Sequence, residues 1–165
     1  MSQYQQVNIK SYIERVTSGP CFICEMQAGN PDYRHHIIYE DENAVVFLNK
    51  YPILYGYTLV APRKHREHVT GDFTHEEYIS LQDLIYRVSE ALSQVVPTER
   101  IYILSLGSQQ ANSHVHWHIA PLPPGVPLEE QQFEALRLEK GILNLSEEEM
   151  ATLAAQIGQK MKETD

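Results

Sequence analysis

Cysteine is scarce in this chain of 165 residues: there are two, Cys21 and Cys24, in "PCFICEM", too few for the disulfide framework of a small secreted fold. Positive charge is short as well. Thirteen Lys and Arg against 22 Asp and Glu leave a formal net charge of −9, which argues against coating nucleic acid or clinging to an anionic membrane, since both need a basic surface. No run approaches the roughly 18 apolar residues that suggest a membrane span. The opening "MSQYQQVNIKSYIERVTSGP" has neither a basic region followed by an apolar stretch nor a cleavage pattern. The expectation is a soluble, cytoplasmic protein without nucleic acid or membrane partners. Phosphate-cradling glycine loops are missing too, since no GxGxxG follows a strand and neither GxxxxGKS nor GxxxxGKT occurs, so a dinucleotide-type parallel sheet is disfavoured. Without repeats, low-complexity tracts or long linkers, a single domain over 1–165 is expected.

With 42% hydrophobic residues, one domain of this length can bury a real core. A short N-terminal helical stretch precedes the CxxC. "HIIYED" and "NAVVFLN" read as two strands joined by an acidic turn at Asp41 to Asn43, and "GYTLVAP" as a third. From Thr74 the period changes: Thr74 and Glu77 form a capping box, and Tyr78, Leu81, Leu84, Ile85, Val88 and Leu92 recur at helical spacing. "RIYILSLG" is a fourth strand and "SHVHWHIA" a fifth. Beyond "PLPPGVP", "LEEQQFEALRLEKG" and "SEEEMATLAAQIGQKM" read as two helices of a C-terminal extension over about 127–162, the second opening with a capping box at Ser146 and Glu149. Strands grouped around one long helix predict an α+β fold with a mostly antiparallel sheet.

In "SHVHWHIA", His114, His116 and His118 alternate with Val115, Trp117 and Ile119, so an extended strand puts three imidazoles on one face and three apolar side chains on the other. A wet polar face is the plain reading of one histidine and a poor one of three in strict alternation. Neutral imidazole is a common metal ligand, but HExxH, HxHxD and a trailing carboxylate are all absent. Covalent catalysis fits the pattern: one neutral imidazole attacks phosphorus while a second steadies the oxygens or the leaving group.

The segment resembles the His-φ-His-φ-His-φ-φ signature of the histidine triad (HIT) superfamily of nucleotide hydrolases and transferases, and the likeness extends from about Pro20 to Pro121. It implies a HIT-like fold of five antiparallel strands packed against the long helix, usually paired as a homodimer. It also implies that His116 is the nucleophile, that His118 contacts the α-phosphate, and that Asn49, with Lys50 beside it, holds the ribose. Gln110 matches the glutamine ahead of the triad. Ser105 and Asn112 complete the substrate-binding set, Ser105 standing where an Asn is common. Ala111 stands where many relatives carry a hydroxyl, with Asn112 as its replacement, and the loop from Ser105 to Asn112 is about two residues short; in this "ANSHVH" leans toward the hexose-1-phosphate uridylyltransferase branch. Substrates so implied are nucleoside phosphoramidates, nucleoside 5'-phosphosulfates or dinucleoside polyphosphates such as diadenosine tetraphosphate, split through a nucleotidyl-histidine intermediate. The alternatives are a nucleotide-binding protein with feeble turnover and a metal-centred phosphoesterase.

The CxxC admits a redox pair, buried free thiols or half of a tetrahedral zinc site. A redox pair wants a helix opening at the first cysteine in a βαβ context, which this pattern does not supply. Two imidazoles would complete a zinc site, and His65 and His68 are at hand in "PRKHREHV". By resemblance the ligands of one structural Zn2+ per chain are Cys21, Cys24, His65 and His114, with His68 in reserve; no organic cofactor is implied. His35, His36 and His75 read as surface residues. Arg63, Lys64 and Arg66 form either a solvated turn or a local positive field for polyphosphate. Among ten tyrosines, Tyr51 or Tyr55 could stack on a base, though packing is the commoner role.

Overall fold

The computed structural model describes residues 4–163. In chain order come β1 (Tyr4–Gln5), α1 (Ile9–Ser18), α2 (Phe22–Gln27), β2 (Ile37–Glu40), β3 (Ala44–Leu48), β4 (Thr58–Pro62), α3 (His75–Val95), β5 (Arg100–Ser105), β6 (Trp117–Leu122), β7 (Ile142–Leu143) and α4 (Glu147–Glu163). Five strands form an antiparallel sheet in the order β2-β3-β4-β6-β5, and β1 pairs with β7 separately. Among the described residues no helix is long and apolar enough to cross a membrane.

Alternation along the strands builds two cores. Val46, Leu48, Val60, Trp117 and Ile119 face α3 and α4, joining Leu84, Val88, Leu92, Leu153 and Ile157. Val45, Phe47, Leu59, Ala61 and Ala120 face the other way, with Ile23 of α2 and Tyr57. Each fully buried aliphatic side chain contributes about 1.5–3 kcal/mol, so the sheet is fastened on both sides and the strand carrying the histidines lies near its centre. α3 opens on the expected capping box, with the Thr74 side chain accepting from Glu77 N–H and Glu77 accepting from Thr74 N–H. α4 opens on its own at Ser146 and Glu149, and lies close on β2: a Cβ at Gly158 would stand 2.7 Å from the Ile38 carbonyl oxygen.

Three expectations need correction. The stretch 128–140 is not a helix but three 3-10 turns, Leu128–Glu130, Glu134–Leu136 and Leu138–Lys140. Its apolar residues do not form a stripe that a helix could bury; Phe133 is 81% exposed, and Gln132 adopts a positive φ of 56°, which interrupts helical hydrogen bonding. A six-residue helix, α2, does open at Cys21; it places Cys21 and Cys24 one turn apart on one side. Regular pairing of the histidine strand begins only at Trp117. Ahead of it the chain bends at His114 and runs beside the segment after β4, where Val115 N–H donates to the Arg66 carbonyl at 2.7 Å.

Candidate active site and metal centre

The three histidines do fall on one face, opposite α3, as the alternation requires. His114 and His116 are 1% and 3% exposed. His116 Nδ1 lies 2.8 Å from the His114 carbonyl oxygen. A carbonyl can only accept, so Nδ1 carries the proton and Nε2 keeps its lone pair. His118 follows on the same face, its ring centroid 4.8 Å from that of His116, with the Tyr57 hydroxyl 3.1 Å from its Nδ1. Burial holds the Tyr57 phenol above its ordinary range, so that hydroxyl stays protonated; where it donates to Nδ1, His118 presents an Nε2 proton. The Ser105 hydroxyl donates to the His116 carbonyl at 2.8 Å, so Ser105 props the backbone of His116 and does not itself line the cleft.

These rings line a cleft of about 470 Å3, within the range of small-molecule sites. Asn49, Lys50, Gln110, Ala111 and Asn112 line it as well. Asn49 Oδ1 accepts from Tyr51 N–H at 2.9 Å, which leaves its amide N–H groups for a ligand. The loop before the triad closes tightly: Ser108 and Ala111 exchange backbone hydrogen bonds of 3.0 and 3.2 Å, and Gly107, at φ 121°, lies so close that a Cβ would stand 2.6 Å from the Asn112 carbonyl oxygen. Asn112 itself is at φ 54°, a conformation that asparagine tolerates better than most residues. Charges on the cleft wall are Arg15, Lys50 and Asp32, an excess of cation on a protein of net charge −9.

Several wall residues were not visible as candidates in the sequence. Phe22, between the two cysteines, sets its ring edge-on to His116 at 5.6 Å and tilted against His35 at 5.8 Å. His35 is thus a half-buried cleft residue and not a surface one; its Nδ1 donates to the Tyr33 carbonyl at 2.7 Å, and burial, first, holds it below the usual histidine value. His36 is also half-buried and pairs with Glu147 at 3.0 Å, while His75 is exposed. Arg63 and Arg66 pair with Glu40 and Glu77 at 2.6 Å each and do not line the cleft; they are not a solvated turn either, since Arg66 packs over the Phe73 ring at 4.6 Å. Tyr51 lines the cleft and Tyr55 does not.

Beside the cleft, one ligand atom each from Cys21, Cys24, His65 and His114 fall within 4.8 Å of one another. The His114 Nδ1 lies 3.4 Å from Cys21 Sγ and 3.6 Å from Cys24 Sγ, and the His65 Nδ1 lies 3.4 Å from Cys24 Sγ. A tetrahedral N–metal–S corner built on ordinary zinc bond lengths has an edge of about 3.6 Å. The far nitrogens are already used as a ligating imidazole needs: His114 Nε2 donates to the Pro62 carbonyl at 2.8 Å, and His65 Nε2 to Glu67 at 3.1 Å. Both fix the tautomer that offers Nδ1 to a metal. His68 stays apart, its side chain 68% exposed and paired with Asp72. The four-residue cluster can hold a metal ion.

Desolvation is the first cause of the low basicity of the triad. It pushes His114 down to about 4 and, with the nearby His116, His118 down to about 3; His116 is lowered as well. A base whose folded pKa lies below the unfolded value of ~6.5 stabilises the fold fully above that value and loses its contribution as pH falls toward the folded one. His118 alone should therefore cost about 2 kcal/mol between pH 7.5 and pH 5, or roughly 4–8 °C of Tm in a chain of this size. The check is calorimetry of the wild type and His118→Gln at both pH values. The variant should show the smaller acid-induced fall, and equal falls would show that His118 titrates normally.

Residues 30–124 match the HIT domain family model, a span that holds the triad and His65 but starts beyond the cysteines. An uncharacterized HIT-like protein of Saccharolobus solfataricus is 30% identical over 104 residues, 61% of this chain and 73% of its own length. The crystal structure of a hypothetical histidine triad nucleotide-binding protein from Sulfolobus tokodaii superposes with a TM-score of 0.68 at 26% identity, over 87% of this chain and 93% of that one. A zinc-bound histidine triad family protein from Mycobacterium smegmatis shares the fold, with a TM-score of 0.69 at 22% identity over 88% and 97% of the two chains. With a five-stranded antiparallel sheet, a triad in the expected alternation and a family match over more than half its length, the chain belongs to the HIT domain family.

Proposed function

We propose that this protein is a nucleotidyl hydrolase or transferase acting at the α-phosphate of a nucleoside phosphoramidate or dinucleoside polyphosphate. The observation that carries the reading is the His116 imidazole, buried on the cleft wall with its Nδ1 proton committed to the His114 carbonyl, which leaves a neutral, oriented Nε2 as nucleophile. Attack forms the Nε2–P bond, the bond from phosphorus to the leaving group breaks, and the electron pair departs with that group. Water or another acceptor then takes the nucleotidyl group from His116. His118, with Tyr57 donating to its Nδ1, would aim an N–H at the phosphate oxygens as negative charge grows there. The Asn49 amide suits a ribose hydroxyl, and Gln110 and Asn112 offer polar contacts from the loop before the triad.

Zinc suits the side cluster, whose two thiols and two imidazoles match a closed structural site. Such an ion would tie α2 to the segment after β4 and to the first triad histidine, a role in folding and alignment. The edge strand β5, with Ile103 on it 48% exposed and Leu106 just beyond it 54% exposed, supports pairing of two copies as a homodimer. A substrate screen followed by phosphorus NMR tests the function: a phosphoramidate or polyphosphate should be converted to nucleoside monophosphate or a transferred nucleotidyl product. Tight nucleotide binding with no product would instead make this a binding protein, the reading that Ala111, a cleft residue without a hydroxyl, would then explain.

A further inference from the structure

The N-terminal helix, like Phe22, belongs to a part of the cleft wall that lies outside the family match, which begins at residue 30. α1 buries none of its residues, yet it is tethered at both ends. Before it, β1 pairs with β7; after it, Pro20 leads into Cys21 of the metal-type cluster. A helix with so little packing of its own is held where it can meet a ligand, and Tyr12 and Arg15 reach the cleft from it.

Arg15 rests on two aromatic rings. Its guanidinium carbon lies 5.0 Å from the Tyr51 ring centroid and 5.6 Å from that of Tyr12. Contact with aromatic faces orients a guanidinium without consuming its N–H donors. Arg63, Arg66 and Arg137, in contrast, are paired with Glu40, Glu77 and Glu134, whereas among the described residues no carboxylate forms an ion pair with Arg15. It also covers one face of Tyr51, so this tyrosine serves as a seat for a cation before it serves a base. Lys50, the other cation of the wall, donates to the Asp32 carbonyl at 3.1 Å and keeps two further protons.

We infer that Arg15 is a specificity-determining residue that binds the phosphates of the leaving group, making the preferred substrate a nucleotide whose α-phosphate carries further phosphates. The inference rests on the nucleotidyl-transfer reading. When the Nε2–P bond forms and the Pα–O bond breaks, the electron pair stays on the departing oxygen, and the leaving phosphate gains one negative charge. A permanent cation with a planar donor fork holds such a group well. A phosphoramidate nitrogen leaves as an amine and needs a proton, which arginine, charged at all working pH values, does not give.

The experiment uses the full chain carrying His116→Ala, so that turnover does not intrude, and titrates AMP, diadenosine tetraphosphate and inorganic tripolyphosphate by calorimetry. The tetraphosphate should bind about tenfold more tightly than AMP. Adding Arg15→Gln should weaken the tetraphosphate and tripolyphosphate by about tenfold while AMP affinity stays the same, and Arg15→Lys should recover part of the loss. In the His116-containing enzyme, Arg15→Gln should raise KM for the polyphosphate and also lower kcat, because the charge that Arg15 meets grows as the Pα–O bond breaks. Equal weakening of AMP and tetraphosphate would show that Arg15 merely positions α1 and would overturn the inference, as would no weakening of either. Failure of AMP to bind at all would overturn the nucleotidyl-transfer reading, and tripolyphosphate would still report whether Arg15 makes an anion site.

Discussion

Replacing His116 by alanine is expected to yield a folded protein that binds nucleotide and turns none of it over. In the proposed mechanism the ring supplies the attacking nitrogen, so its removal takes away a group used only on the way to the transition state, with a loss in kcat on the order of 10^4-fold or more. The proposed ground-state contacts come from elsewhere on the wall, from Asn49, His118 and the loop that ends at Asn112, which line the cleft, so the nucleotide Kd should move by less than roughly tenfold. The intermediate gives a second readout. A substrate labelled at the α-phosphate, quenched early, should leave an acid-labile, alkali-stable phosphoramidate adduct on the wild type and none on His116→Ala. His118→Ala should weaken both binding and turnover, because in the proposed mechanism that ring meets the phosphate before and during the reaction. An active His116→Ala enzyme would sink the mechanism. A wild type without adduct whose activity disappears with its metal would indicate attack by a metal-bound hydroxide instead.

Much of this site was legible because its chemistry sits in one short run. Alternation at His114, His116 and His118 fixes a common face wherever the backbone is extended, and it does so even though regular strand pairing begins only at Trp117. The capping boxes of α3 and α4 are equally local. What stayed hidden depends on distant parts of the chain meeting. Phe22 reaches His116 because α2 packs beneath the sheet, and His35 reaches the cleft from the approach to β2. Arg15 lies in the N-terminal helical stretch with no motif around it; only the placement of α1 beside Tyr51 makes it a cleft residue. The segment 128–140 failed for a different reason. Its residues favour helix one by one, but their apolar members do not share a side, and helices of this length draw most of their stability from such a side.

Metal removal should cost stability well beyond the immediate site. If zinc occupies the four-residue cluster, the purified protein carries about one ion per chain, and a free metal concentration a thousandfold above Kd stabilises the fold by about 4 kcal/mol. At about 2–4 °C of Tm per kcal/mol for this chain length, chelation should lower Tm by roughly 10 °C, and Cys21→Ser should show the same loss together with an empty site. Uptake has a built-in pH dependence. Without metal, burial and then the neighbouring Cys21 raise the Cys24 thiol to about 11, so binding at neutral pH must expel thiol protons, about two in all, and affinity should fall by about 100-fold for each pH unit of acidification over that range. The identity of the second imidazole separates the cluster from its neighbour. His65→Ala should lose the metal, whereas His68→Ala, whose ring is exposed and turned to Asp72, should keep a full complement. Metal analysis that finds none, or a His68→Ala protein that loses its ion while His65→Ala retains it, would overturn this assignment. Because His114 belongs both to the cluster and, through its carbonyl, to the hydrogen bond that orients His116, chelation should also lower turnover even where the chain stays folded, and restoring zinc should bring the activity and the Tm back together.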